Sequence, residues 1–211
     1  LAPAQARLND AAPALVNCLQ AIKADPGQVY LALDKLVKAF PAHTDRPAQV
    51  LSYNATRGKF NARVKFSPST SAAQMIFLNR TCFNGLWRVN IAGGFNASLG
   101  KYAAPAFPSL EDLRAISVRL QAAGISLGDF STALDAAREG DLAFLDPPYG
   151  GVRGDSGFVG YTAGGFDGAQ QRWLVEVIRI LHDRGVRIIL TNGAFPGNRE
   201  AYEAAGLHVE K

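Results

Sequence analysis

The chain has 211 residues, 48% of them hydrophobic and 19% charged, which suits one large domain with a sizeable core and excludes a highly charged disordered chain. Its apolar runs are only a few residues long, so none reads as a bilayer-spanning helix. Cys18 and Cys82, with the scattered His43, His182 and His208, match neither a disulfide framework nor a zinc site, and the first residues lack the regions of a secretory signal, so a reducing cytoplasm is expected.

In chain order, Leu15, Cys18, Leu19 and Ile22 fall at helical spacing. Leu33, Leu36, Val37 and Phe40 repeat it in a second helix. Residues 41–108 then break the pattern and read as an insert. Ser109 and Asp112 open a further helix with a capping-box-like start, carrying Leu113, Ile116 and Leu120. The apolar runs 125–127, 142–145 and 186–190 read as buried parallel strands. A helix over roughly 168–184, with Leu174, Val177, Ile178 and Leu181 on one face, separates the last two. A weak final strand is expected at 207–209. Strand–helix alternation implies an open α/β sheet with helical crossovers.

The net charge of +4 hides an asymmetry. Between Arg46 and Leu110 there are no Asp or Glu residues and eight cations: Arg46, Arg57, Lys59, Arg63, Lys65, Arg80, Arg88 and Lys101. An acid facing phosphate weakens binding, whereas Lys and Arg strengthen it through counterion release, so this stretch points to a polyanion. Tyr53, Phe60, Phe83, Trp87, Phe95 and Tyr102 are interleaved with asparagines there. Asn can read base edges and aromatics can stack on bases. The plainer reading is a basic surface over core aromatics.

A parallel strand delivers function at its carboxyl end. Strand 142–145 ends in Asp146-Pro147-Pro148-Tyr149. Two prolines stop the sheet and hold a carboxylate and an aromatic ring at its lip. An exocyclic amine such as adenine N6 needs two acceptors, which the Asp146 carboxylate and the Pro147 carbonyl supply, while Tyr149 can stack on the ring. A strand-ending turn with a capping Asp is the alternative for an isolated Asp-Pro-Pro.

The tetrad resembles motif IV of the amino methyltransferases, and nearly the whole chain resembles the Dam-type (D12 class, alpha group) DNA adenine-N6 methyltransferases. The resemblance rests also on Phe77-Leu78-Asn79-Arg80, the run from Phe83 and Asn84 to Asn90, Gly94-Phe95-Asn96, Gly100-Lys101-Tyr102, and Leu190-Thr191-Asn192, where Thr191 replaces the usual Ser. It implies an open, mostly parallel, doubly wound methyltransferase sheet built from 1–40 and 109–211, with 41–108 as a largely helical target-recognition insert. It further implies base flipping in duplex DNA and S-adenosylmethionine as methyl donor. Asp146, Pro147, Pro148 and Tyr149 take the catalytic positions. Asp10, after the short run 6–8, matches the acid that holds the donor's ribose. Asp129, Phe130 and Ser131 match the segment around its adenine, with Asp146 beside it. Arg80, Phe83, Asn84, Leu86, Arg88, Asn90, Asn96, Lys101 and Tyr102 fall in the DNA-binding set; Phe83 and Asn84 match the wedge and Arg88 the reader of guanine. Without the resemblance, capping explains Asp10 and Asp129, and core packing explains Phe83 and Leu86.

The resemblance also implies a monomer of bacterial or phage origin in the cytoplasm, associated with the nucleoid, with no metal and no membrane partner. The family's Gly-rich loop before strand 6–8 has no counterpart in the sequence, and Gly151, Gly154 and Gly157 lie after the tetrad and do not replace it. A further N-terminal segment carrying that loop is therefore expected. Ser98 and Ala92 depart from the residues usual in GATC-reading members. Two other functions fit the same residues: amino methyl transfer to RNA or protein glutamine, and DNA binding without catalysis.

Overall fold

The computed structural model describes residues 5–62, 66–134, 136–150 and 166–210. Arg63, Lys65, Gly151, Gly154 and Gly157 lie outside the described residues. The chain divides into two compact units, Leu1–Leu127 and Gly128–Lys211. The architecture is mixed α/β with short parallel strands.

The first unit opens with β1 (Ala6–Asp10), followed by α1 (Pro13–Ala24), α2 (Pro26–Ala39), α3 (Arg46–Asn61) and α4 (Pro68–Thr81). Three of these helices start on one device. The side chains of Asp25, Asp45 and Ser67 accept from the backbone N–H groups of Gln28, Ala48 and Thr70, and a proline occupies the first or second helical position. Such caps satisfy orphan donors, and proline gives up none it could use. After a single 3₁₀ turn at Phe83–Gly85 comes α5 (Leu110–Leu120). Ser109 and Asp112 form the expected reciprocal capping box. The unit ends with β2 (Ala123–Leu127), parallel to β1 in the register Leu8↔Ile125 and Asp10↔Leu127.

Helix α4 is the centre of this unit. It packs against α1, α2 and α3, so its buried residues Ala72, Ala73, Gln74, Phe77, Leu78 and Thr81 spread around the helix rather than along one stripe. That spread is why no amphipathic signal marks it in the sequence. Leu33, Tyr53, Phe77, Leu78 and Phe95 form one buried cluster; Val29, Ile22, Leu113 and Leu120 anchor a second.

The second unit contains α6 (Phe130–Leu134), β3 (Leu142–Leu145), α7 (Gly168–Asp183), β4 (Arg187–Leu190) and α8 (Asn198–Ala204). β3 and β4 pair in parallel, with Leu145 opposite Leu190. The four strands thus form two parallel pairs, β1–β2 and β3–β4. Strands 142–145 and 186–190 were expected to be buried on both faces. Alternation along the strand separates two faces. On one, Ala143, Leu145, Ile188 and Leu190 pack on the cores around Leu174, Ile178 and Leu181. On the other, Leu142, Phe144 and Ile189 are exposed. The expected strand at 207–209 is absent. That segment finds no strand partner among the described residues; its backbone is held instead by the Leu207 N–H donating to Tyr202 O and by Arg199 donating to Val209 O.

Tyr53 is one of the α3 side chains that hold the backbone of 95–100. Tyr53 is fully buried, and its hydroxyl donates to the Ala97 carbonyl at 2.8 Å. Burial pushes its pKa well up, so the donor stays protonated. Tyr53→Phe should lower the unfolding free energy by about 1 kcal/mol. Urea denaturation checks this, and an unchanged midpoint would deny the hydroxyl a role.

Candidate active site

The lip at the end of β3 follows from strand register. β3 and β4 end opposite one another, so Asp146 and Thr191 emerge side by side. The Thr191 N–H donates to Leu145 O at 3.0 Å, and its hydroxyl donates to Asp146 Oδ1. The hydroxyl fixes one carboxylate oxygen. Neither Asp146 Oδ2 nor the Pro147 carbonyl has a hydrogen bond to another described residue. Asp146 is exposed, and Tyr149 stands half out of the surface. The lip therefore offers two adjacent acceptors and an accessible aromatic face. Thr191 and Asn192 are both present at this site, and Asn192 Oδ1 accepts from the Gly150 N–H at 3.3 Å.

Phe130 belongs to the core beneath the same lip. It packs against the same buried clusters as Leu145 and Ile188, and its ring meets Phe166 at 6.1 Å. Asp129 turns its Oδ1 onto the N–H and hydroxyl of Ser131 at 2.9 and 2.7 Å, which starts α6. Asp10 closes β1 in the first unit. Its Oδ1 accepts from the Ala12 N–H at 2.7 Å, so the carboxylate is oriented and its other oxygen is turned to no described residue. Asp129 makes the capping contact that the sequence alone allowed, whereas Asp10 bonds only the N–H two residues on and α1 starts at Ala12 without a side-chain cap.

The basic segment is built on one face of α3. Arg46, Tyr53, Arg57 and Asn61 lie along that face and all reach the backbone of 95–100. Arg46 donates to Gly100 O at 2.7 Å and Leu99 O at 3.2 Å. Arg57 donates to Ala97 O at 3.2 Å, with its guanidinium 5.8 Å from the Tyr53 ring centre. The Asn61 amide donates to Phe95 O and accepts from Phe95 N–H, both at 2.9 Å. Two of the eight cations therefore act on the protein's own carbonyls.

The aromatics divide in the same way. Tyr53 and Phe95 are buried, and Trp87 packs on Phe95 and Phe60 at 4.5 and 5.8 Å. Only Phe83 and Tyr102 of the six stand exposed. Phe83 opens the turn in which Asn84 takes φ 52° and Gly85 φ 64°, a left-handed pair that Asn and Gly adopt with little cost. The Asn79 amide holds this turn through Gly85 O at 2.9 Å. Leu86, Arg80, Arg88 and Lys101 are exposed around it. Arg88 Nε donates to Asn96 Oδ1 at 2.8 Å, so Asn96 orients the arginine. Asn90 is occupied in closing the next turn, accepting from the Gly94 N–H at 2.9 Å. Ile91, at that turn, is 94% exposed. Neither cysteine is suited to nucleophilic chemistry. Both are buried, and burial raises the Cys18 pKa to about 11.

Sequence reasoning passed over Gln171, Asn198 and Tyr202, which are buried beneath the lip. No helix among the described residues is long and apolar enough to cross a membrane. Among them no group of three or more His, Cys, Asp or Glu side chains could hold a metal ion.

The full length, residues 1–211, matches the family model for D12 class N6 adenine-specific DNA methyltransferases, and the chain belongs to that family. It is 31% identical over 211 residues to the Type II methyltransferase M1.LlaDCHI of Lactococcus lactis subsp. cremoris, covering 99% of this chain and 72% of that protein. It is 40% identical over 158 residues to the DNA N-6-adenine-methyltransferase of Escherichia phage P1, covering 75% of this chain and 21% of the phage protein. The DNA adenine methylase of Escherichia coli K12 shares 31% identity over 159 residues, 75% of this chain and 56% of its own length. The chain thus spans about a fifth of the phage protein and just over half of the Escherichia coli one.

The contacts of Arg46 separate structural from accessible cations. Arg46→Ala strips two carbonyls of a charged donor and should destabilise the first unit by about 1–3 kcal/mol. Lys101→Ala should leave the melting temperature unchanged. Thermal unfolding of both variants decides it; equal losses would mean that the Arg46 contacts contribute nothing particular.

Proposed function

We propose that the protein transfers a methyl group from S-adenosylmethionine to adenine N6 in duplex DNA. The observation that carries this reading is the lip itself. Asp146 is held by Thr191 through one oxygen, which leaves Oδ2 and the carbonyl of the next residue, Pro147, as acceptors. An adenine N6 amine presents two hydrogens to two such acceptors. Held there, its lone pair faces away from both, toward a methyl carbon approaching in line. The half-exposed Tyr149 ring supplies a stacking surface for the base.

S-adenosylmethionine brings a methyl group already activated on a sulfonium, so the protein's task is positioning and charge stabilisation. The oriented Asp10 carboxylate suits a ribose diol, and Phe130 with Asp129 and Ser131 would flank the donor's adenine. A base inside the duplex does not expose N6 to an in-line donor, so the target must leave the stack at a cost of a few kcal/mol. Phe83, Asn84 and Leu86 would fill or brace the gap. Arg80, Lys101 and Lys59 would meet phosphate, and Arg88, steadied by Asn96, would read a base edge together with Tyr102. Asn90 would act indirectly by shaping the turn.

The domain reading belongs to the same proposal: an open doubly wound methyltransferase sheet from 1–40 and 109–211, interrupted by a target-recognition insert over 41–108. Parallel pairing in both units, and a helical insert with no Asp or Glu after Asp45, support it. The protein would act as a monomer on DNA.

Asp146→Ala should reduce methyl transfer by at least tenfold, about 1.4 kcal/mol in barrier, while duplex binding is nearly unchanged. Transfer from a labelled donor to defined duplexes measures the first and a binding titration the second. Arg88→Ala should relax preference at one base pair by about 1–3 kcal/mol. Equal weakening on cognate and non-cognate duplexes would count against a reading role for Arg88.

A further inference from the structure

Beneath the lip lies a polar network that the acceptor chemistry does not use. Gln171, in the first turn of α7, is fully buried; Asn198 and Tyr202 of α8 are 3% and 4% exposed. Gln171 Nε2 donates to Pro148 O at 3.3 Å. Its Oε1 accepts from the Asn192 amide at 3.3 Å and from the Tyr202 hydroxyl at 3.2 Å. The Asn192 amide also donates to the Tyr202 oxygen at 2.6 Å, and Asn192 Oδ1 accepts from the Gly150 and Gly193 N–H groups at 3.3 and 2.7 Å. Asn198 Nδ2 donates to Gly150 O at 3.0 Å and to Gly193 O at 3.1 Å.

On the lip these bonds reach three backbone groups, the Pro148 carbonyl and both polar groups of Gly150, and two more end on Gly193. Pro147 and Pro148 have no N–H, so the segment cannot anchor itself by ladder pairing. Side-chain amides, each with donor and acceptor, replace the missing partners. Space is also closed there. A Cβ on Gly150 would lie 3.3 Å from Gln171 Nε2. Buried amides are costly unless satisfied, and here each bond of Gln171 ends on the lip or on a residue that holds it. Packing α7 against α8 alone would need only an apolar side chain of similar volume.

We propose that Gln171, with Asn192 and Asn198, clamps the Pro148–Gly150 backbone and so fixes Asp146 and Tyr149 against the flipped base. Gln171 is thus a positioning residue for transfer. This rests on the adenine-methylation reading above. A displacement of about 1 Å at a reacting centre can cost on the order of a hundredfold in rate.

The test uses the full natural polypeptide with Gln171→Met, which keeps volume and loses all three bonds, and Gln171→Glu, which keeps the acceptor for Asn192 and Tyr202 but loses the donor to Pro148. Ile178→Val, in the buried core of the same helix, controls for a purely structural loss. The readouts are single-turnover transfer per folded molecule, KM for duplex, donor affinity, and amide exchange across 146–150. Both Gln171 variants should slow transfer about ten- to a hundredfold with KM and donor affinity within about twofold of wild type, and should speed exchange at Gly150. The control should match wild type in rate. Rates within twofold of wild type, unchanged exchange, or losses that track only the folded fraction would overturn the clamp. If Gln171→Met fails to fold, Gln171→Glu alone decides it. Wild-type protein that methylates no DNA would strike the methylation reading instead, and the exchange measurement would still decide the clamp.

Discussion

The parallel register of β3 on β4 is the constraint on which the candidate site depends. Leu145 opposite Leu190 ends both strands together and leaves Asp146 beside Thr191. A slip of one residue would turn each side chain to the other face and part the carboxylate from its hydroxyl donor. The register is itself secured by the core of the second unit, because Ala143, Leu145, Ile188 and Leu190 must face the helices together. Packing energy thus sets the geometry of the candidate site. The apolar pairs fix where the strands stop, and the stop fixes which oxygen remains open.

The first unit rests on a comparable arrangement with different means. The segment after α4 has little regular structure; isolated bridges join Cys82 to Leu99 and Val89 to Phe95. Helix α3 holds it through a row of polar side chains, while Phe95 and Trp87 fasten it by burial. A loop held in this way can present Phe83, Leu86 and Tyr102 to solvent without collapsing onto them. Large apolar side chains left exposed beside basic residues carry little folding energy.

Much of this was legible in the sequence, where local chemistry speaks directly. The strand 142–145 with its Asp-Pro-Pro-Tyr ending, the capping box at Ser109 and the helix over 168–184 each carry their own signal within a few residues. The Asp-Pro and Ser-Pro starts of α2 and α4 carry a signal of the same local kind that sequence reasoning passed over. What was not legible depends on distant pairing. Arg46 and Arg57 look like free cations until α3 is placed against 97–100. Gln171 lies 23 residues from Pro148, and nothing local announces its buried amide. The alternation that leaves Phe144 exposed is invisible because both faces of β3 are apolar.

Under the proposed function the Asp146–Pro147 acceptor pair serves adenine N6 in duplex DNA. The most direct measurement is the identity of the methylated atom. Wild-type protein would be incubated with labelled S-adenosylmethionine and a mixture of duplex DNA, RNA and protein, and the products resolved by nucleoside and peptide mass spectrometry. Label is expected as N6-methyladenine in the duplex alone. Label on cytosine, RNA or glutamine, with none on duplex adenine, would contradict it.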